Sequence, residues 1–371
     1  MGNYCGKPAA HHDHAASPKA ASNPAIRLLP TVHSGPVMGM ASAGAGCVLS
    51  GGEDEDVVLW DWVKAKVLCR WKGHSRAVQR VAYGPKNDLY LSASRDASAC
   101  VWRMGQDTPL QVFTPSGNSI TMTGIAVSEE ENLVCTGARD YHVRLWDLVT
   151  GQQTTFSKVN LNVVTDIKWV HNEPLIVQTS EDLQVRVWDS RSMKVAQTFL
   201  GHVNIPLCSD VSEDGNLIIT CSHGFDSHGC EARVFDRRKG QQIHDLKGHE
   251  ESTNGCAFLK GPSSGGDTGL LGCTVSADRT MRLWDVRKEK CVSSETFLEC
   301  LPDGPLTCVA TLPSLSKWTK ASKGDPYCNY VCAANFEGVI QMWGVAIDSK
   351  QGTPYLDLVA GSHCVTVGDG L

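Results

Sequence analysis

No apolar run in this chain of 371 residues approaches the roughly 18 that cross a bilayer as a helix, and the N-terminus lacks the apolar core of a secretory signal. A cytoplasmic protein is therefore expected. Charge of one sign is also scarce: Lys and Arg number 34 against 40 Asp and Glu, the net charge is -6 and the pI is near 6.1. That balance gives no global pull toward nucleic acid, and partners must be met by local patches. Missing too are a Gly-rich phosphate loop, a G-x-S-x-G elbow and an H-E-x-x-H pair, so no enzyme and no cofactor is expected. What is plentiful is apolar content, at 42% hydrophobic residues, and cysteine, at 16. Without a secretory signal these cysteines read as reduced, small, buried hydrophobes.

One unit recurs seven times: VVLWD ending at Asp61, ACVWR at Arg103, VRLWD at Asp147, VRVWD at Asp189, ARVFD at Asp236, MRLWD at Asp285 and VIQMWGV at Val345. The anchors Trp60, Trp102, Trp146, Trp188, Phe235, Trp284 and Trp343 are spaced by 42, 44, 42, 47, 49 and 59 residues. Each unit alternates apolar and polar residues with period two and is broken by Gly, Asp and Asn, the pattern of four short antiparallel strands. In five units an Asp lies six residues before the anchor, at Asp54, Asp96, Asp140, Asp182 and Asp278, where its carboxylate can accept backbone N–H groups of a tight turn. Gly-His precedes the second, fifth and sixth units at His74, His202 and His249.

Over residues 25–361 this pattern resembles the WD-repeat family, and the resemblance implies an all-β, seven-bladed propeller. It further implies that His74, Asp96 and Trp102 form one structural hydrogen-bonded set and His249, Asp278 and Trp284 another. The third, fourth and seventh units lack the His, so packing is expected to hold them. Residues 1–24, rich in Ala, His, Pro and Ser, read as a disordered arm, and 362–371 as a tail. Two segments compete to complete the last blade, AIRLLP (25–30) and TPYLDLVAG (353–361). The likeness of AIRLLPTVHSGPV to KVLCRWKGHSRAV favours the first.

The fifth unit departs from the others. CSHGFDSHGCEARVFD sets Cys221, His223, His228 and Cys230 on one enlarged turn, with no Asp six residues before Phe235. Thiolate and imidazole suit zinc, two cysteines at a hairpin mouth can form a disulfide, and a loop with incidental ligand residues is the third reading. Structural zinc usually draws on two separated knuckles, and one such turn is a cramped cage, so no metal is expected.

Function is then sought on the faces, the top made by loops between strands d and a and between b and c, the bottom by the others. On the top, Arg76, Arg95 and Arg139 should lie near the channel mouth, either paired with acids such as Glu53, Glu55 or Glu181 or free to dock a carboxylate-bearing peptide. The run EDED, Glu53 to Asp56, reads as a solvated turn. On the bottom, 260–269 reads as a flexible spacer, while Trp318 among Lys317, Lys320 and Lys323 either anchors a partner or folds back onto its blade.

A narrower resemblance, through blades two to six and including Gly224-Phe225 and the Cys pair of the fifth turn, is to the family of WD repeat-containing protein 31. It implies a scaffold in a multi-protein ciliary or flagellar assembly, in trafficking or in the axoneme. The rival is a substrate receptor of a cullin-RING ubiquitin ligase, for which W-D-x-R ends the third strand at Arg191 and Arg287. At the tip, Gly2 in M-G-N-Y-C-G resembles an acylation signal except that Gly6 replaces Ser or Thr. Cys5 could take a second acyl chain for peripheral membrane attachment.

Overall fold

A computed structural model describes residues 27–44, 46–116, 120–128, 130–259, 270–296, 304–315, 327–348 and 353–362. The arm at 1–24, with Gly2 and Cys5, the 260–269 spacer, and Trp318 with Lys317 and Lys320 lie outside them.

Among the described residues the strands form seven antiparallel sheets, the blades, within 37–72, 78–113, 122–158, 164–199, 206–246, 253–296 and 306–362. Strands a to d follow chain order within each. Burial explains the sequence pattern. Strand b of blade two, Leu89–Ser94, is buried at all six residues because a blade covers it on each side. Strand d of blade one, Lys66–Lys72, alternates exposed residues with part-buried ones and the buried Trp71, because it is the outer edge. All seven anchors are buried, between 0% and 4% exposed.

Closure uses both candidate segments. Pro354–Ser362 pairs antiparallel with Ile340–Ile347 and is the fourth strand of blade seven. Arg27–Leu29 then adds outside it as a fifth strand, in parallel, with Arg27 opposite Ala360 and Leu29 opposite Ser362. The expectation that one segment excludes the other is corrected. The C-terminal strand also runs one residue further than expected, and Ser362 Oγ accepts the Ile340 N–H at 2.9 Å.

The expected hydrogen-bonded sets are present. His74 Nδ1 lies 2.8 Å from Asp96 and Nε2 2.7 Å from Ser92 Oγ, to which Trp102 Nε1 donates at 2.8 Å. His249 repeats this with Asp278 and with Thr274, which Trp284 also reaches at 2.8 Å. A third set was missed, because His33 follows Val rather than Gly: His33 lies 2.9 Å from Asp54 and 2.8 Å from Ser50, and Trp60 donates to Ser50 at 3.2 Å. Only the match of TVHSGPV to KGHSRAV signals it.

Blades three and four correct the expectation that packing mainly holds them. In blade three, Arg144, four residues after Asp140 on strand c, grips both its carboxylate oxygens, while Trp146 donates to Thr136 at 2.8 Å. In blade four, Arg186 binds Asp182 and reaches Asn162 Oδ1 at 3.0 Å, and Trp188 donates to Gln178 at 2.8 Å. Arginine, always charged and forked, substitutes for the histidine. Blade seven does rest on packing at its anchor, since Trp343 Nε1 is buried without a partner.

The acidic run is also more than a solvated turn. Asp54 belongs to the His33 set, and Asp56 pairs with Arg70 at 2.5 Å.

The fifth-blade hairpin and the candidate interaction face

Cys221 ends its route on strand b (Leu217–Ser222), every residue of which after the first is buried, so its side chain turns into the core. From there the chain leaves the sheet and makes a small hairpin of its own. Phe225 N–H donates to His228 O at 3.1 Å and His228 N–H returns the bond at 2.9 Å. The two residues between them, Asp226 and Ser227, both have positive φ, 50° and 61°, the pattern of a type I′ turn.

Straps to both sides fix this hairpin. Asn204 Nδ2 donates to His228 O at 3.3 Å from the loop entering blade five. From the loop entering blade six, Glu250 O accepts the Ser227 N–H at 2.8 Å. Ser252 Oγ bonds the Gly224 N–H, the Gly224 carbonyl and His223 Nδ1 at 3.1, 2.9 and 2.7 Å. Gly224 has no alternative, because a Cβ there would lie 2.5 Å from both the nitrogen and the sulfur of Cys230.

These bonds disperse the supposed zinc ligands. Cys221 points at Cys208 and Cys256, His223 is held by Ser252, His228 is exposed, and Cys230 Sγ lies 3.4 Å from Glu250 O. Cys221 and Cys230 are both free, so the disulfide reading is corrected as well. Alternation along strand b separates them: a ladder residue faces the core, whereas a turn residue follows the turn.

What the hairpin offers instead is Phe225, 74% exposed at its tip. Leu200 and Val203, 68% and 66% exposed, stand on the loop entering the same blade, and Leu161 and Phe336 are exposed on other top loops. A groove beside the hairpin is lined by Val203, His228, Lys247 and Glu250. Phe225 was noticed only as part of a dipeptide; its signal was an aromatic in a turn too long for its repeat.

Of the three arginines, Arg139 pairs with Glu181 at 2.6 Å, one of the acids expected. Arg76 and Arg95 are exposed and make no side-chain bond among the described residues. The cation that occupies the channel is another, Arg80 on strand a of blade two (Val78–Gly84). Its guanidinium bonds Asp166 of blade four at 3.2 Å and Leu207 O of blade five at 3.0 Å, crossing the ring, and Lys168 lies 3.7 Å from the same carboxylate. A charged residue on an innermost strand was the available signal. Arg191 folds back on Asp189 at 3.1 Å, serving its own turn, and Arg287 is exposed.

In this blade the histidine stands alone. His202 Nε2 lies 2.8 Å from Thr220 Oγ1, but Nδ1 has no partner among the described residues, as the turn Asp is absent. Burial, reinforced by the Arg233 charge, pushes its pKa down to about 3. At Asp96 and Asp278 burial opposes ionisation, yet the bonds from His74 and His249 prevail and hold both carboxyls well below the usual range.

Comparison with known proteins follows this geometry. The family described as "WD domain, G-beta repeat" matches residues 65–103, 107–147, 152–189 and 240–285. Each match starts just before strand d of one blade and ends with strand c of the next, so the sequence repeat straddles two blades and interlocks them. The chain is 24% identical over 299 residues to the Nuclear distribution protein nudF of Aspergillus niger, covering 74% of this chain and 66% of that one. With the Nuclear distribution protein PAC1 of Coccidioides posadasii it shares 27% over 305 residues, 74% of this chain and 63% of that one. The Small ribosomal subunit protein RACK1 of Drosophila melanogaster is 25% identical over 270 residues, 59% of this chain and 80% of that one. The chain thus spans less than two-thirds of the length of the nuclear distribution proteins it matches. No helix among the described residues is long and apolar enough to cross a membrane. Repeat matches, blade order and anchor sets agree: the chain is a seven-bladed β-propeller carrying WD repeats.

Proposed function

We propose that this protein is a non-enzymatic cytoplasmic scaffold that holds other proteins on its top face, with the fifth-blade hairpin as its anchor. Phe225 carries the reading. An aromatic side chain 74% exposed, beside a two-residue turn strapped to both neighbouring loops, is pre-organised to bury itself in a partner at little entropic cost. Arg76 and Arg95 add free guanidinium groups suited to acidic or carboxylate-bearing segments. Crosslinking with mass spectrometry in ciliated cells tests this: the Phe225→Ala chain should lose partners that the normal chain captures, and an unchanged partner set would sink the anchor.

The scaffold is further assigned to cilia or flagella, in trafficking or in the axoneme, on the strength of the narrower resemblance in blades two to six. Nuclear distribution and the ribosomal subunit belong to the names of the relatives and are not transferred. Two more elements complete the proposal. Trp318 with Lys317 and Lys320 forms a second anchor, and a Trp318→Ala chain that kept every partner would remove it. Gly2 and Cys5 take two acyl chains, because one myristoyl group alone binds membranes only marginally. Intact mass of the protein from its native source decides: an unmodified Gly2, with Gly2→Ala leaving the location unaltered, ends the lipid reading.

A further inference from the structure

Where strand a of blade five (Pro206–Val211) meets strand b (Leu217–Ser222), Cys208 is the ladder partner of Cys221. Cys256, on strand a of blade six (Thr253–Phe258), closes the group: the three sulfurs all lie within 4.8 Å of one another, and Cys208 and Cys256 are 3.6 Å apart. All three are free thiols. Cys221 and Cys256 are buried, at 0% and 4% exposed, while Cys208 is only part-buried and sits on an innermost strand, which gives the group an approach from the channel.

The surroundings favour negative charge at Cys208. The Cys256 N–H donates to its sulfur at 3.4 Å, a bond that a thiolate accepts better than a thiol. The Arg80 and Lys168 cations pair with Asp166 nearby, and Asp210, two residues along the strand from Cys208, also acts on Lys168.

Sulfurs bound about 2.3 Å from one central ion stand about 4.0 Å apart when three share a plane. The observed spacing needs only small shifts to match. Among the described residues no fourth His, Cys, Asp or Glu joins the group, so the tetrahedral set that zinc takes is incomplete. Three soft thiolates without a fourth ligand suit a monovalent, closed-shell ion.

We infer that Cys208, Cys221 and Cys256 form a trigonal thiolate site between blades five and six for a single Cu(I) ion. Binding exchanges the thiol protons for the metal, with no change of oxidation state: three thiols and Cu(I) give a complex of charge minus two and release three protons to solvent. The site shares only Cys221 with the set first considered for zinc, and it is independent of the docking reading at Phe225.

The experiment loads the full chain, reduced and free of oxygen, with one equivalent of Cu(I) and challenges it with bicinchoninate. The normal chain and a Cys135→Ala control should retain about one ion, and Cys208→Ala and Cys256→Ala should release it at more than about tenfold lower chelator concentration. X-ray absorption of the normal chain should show three sulfur neighbours near 2.3 Å. That measurement stands even where a variant fails to fold. Equal retention by all variants, or a shell of nitrogen or oxygen, overturns the site as adventitious binding. A Cys208–Cys256 disulfide formed by mild oxidant in a chain that holds no copper would replace it with a redox pair.

Discussion

A buried tryptophan that also donates a hydrogen bond costs more to remove than one that only fills space. Trp102→Ala and Trp284→Ala should each cost about 3 to 5 kcal/mol, the cavity together with the lost bond to the Ser92 or Thr274 hydroxyl. Phe235→Ala, without a donor, and Trp343→Ala, whose Nε1 bonds nothing, should cost less; urea unfolding of the four variants gives the order. At His202 the effect is one of pH. The unfolded chain takes a proton there near 6.5 and the folded chain only near 3, so between those values the unfolded state binds more protons and acid destabilises the fold. His202→Gln should flatten the fall of unfolding free energy between pH 7 and 5, by at most about 1.4 kcal/mol per pH unit, read from urea unfolding. An unchanged slope would place the acid sensitivity elsewhere, beginning with His249. Which residues form these sets was legible only where the spelling repeated. His74 and His249 follow Gly, but His33 follows Val, and Asn162 and Arg186 do the same duty in another chemistry.

At the scale of the strand and turn, period-two alternation made nearly every blade strand legible, since the pleat sends alternate side chains to opposite faces. The five Asp turns were legible for a related reason. The residue after each Asp has φ between 67° and 71°, and the carboxylate caps an N–H two residues on, so local chemistry alone dictates the conformation. The fifth turn was not legible, because Ser252, Glu250 and Asn204 arrive from outside its own sequence. Gly224→Ala should therefore dislodge the hairpin, seen as new proteolytic cleavage between 223 and 231 and a lowered Tm. Phe225→Ala, at an exposed tip, should leave stability within about 0.5 kcal/mol. A Gly224→Ala chain as protease-resistant as the normal one would show that the straps do not determine the hairpin.

For the whole ring, the interlock of each repeat with the next blade leaves the last blade to be finished by other means. Here Pro354–Ser362 finishes it, and Arg27–Leu29 adds three residues outside. Deleting 353–371 should leave an open edge and a chain that aggregates, whereas deleting 1–29 should fold with a modestly lowered Tm, since of the three strand residues only Leu29 is buried. Calorimetry and light scattering separate the two, and equal damage would show that the outer strand is as essential as the inner. The parallel direction of that outer strand also sets a polarity. Strand d of every blade climbs from bottom to top, so Arg27–Leu29, opposite Ala360–Ser362, covers only the upper end of this edge and runs the same way. Below it, Pro354–Val359 has no outer neighbour among the described residues, so this blade keeps an open ladder along its lower edge, which a further strand would complete.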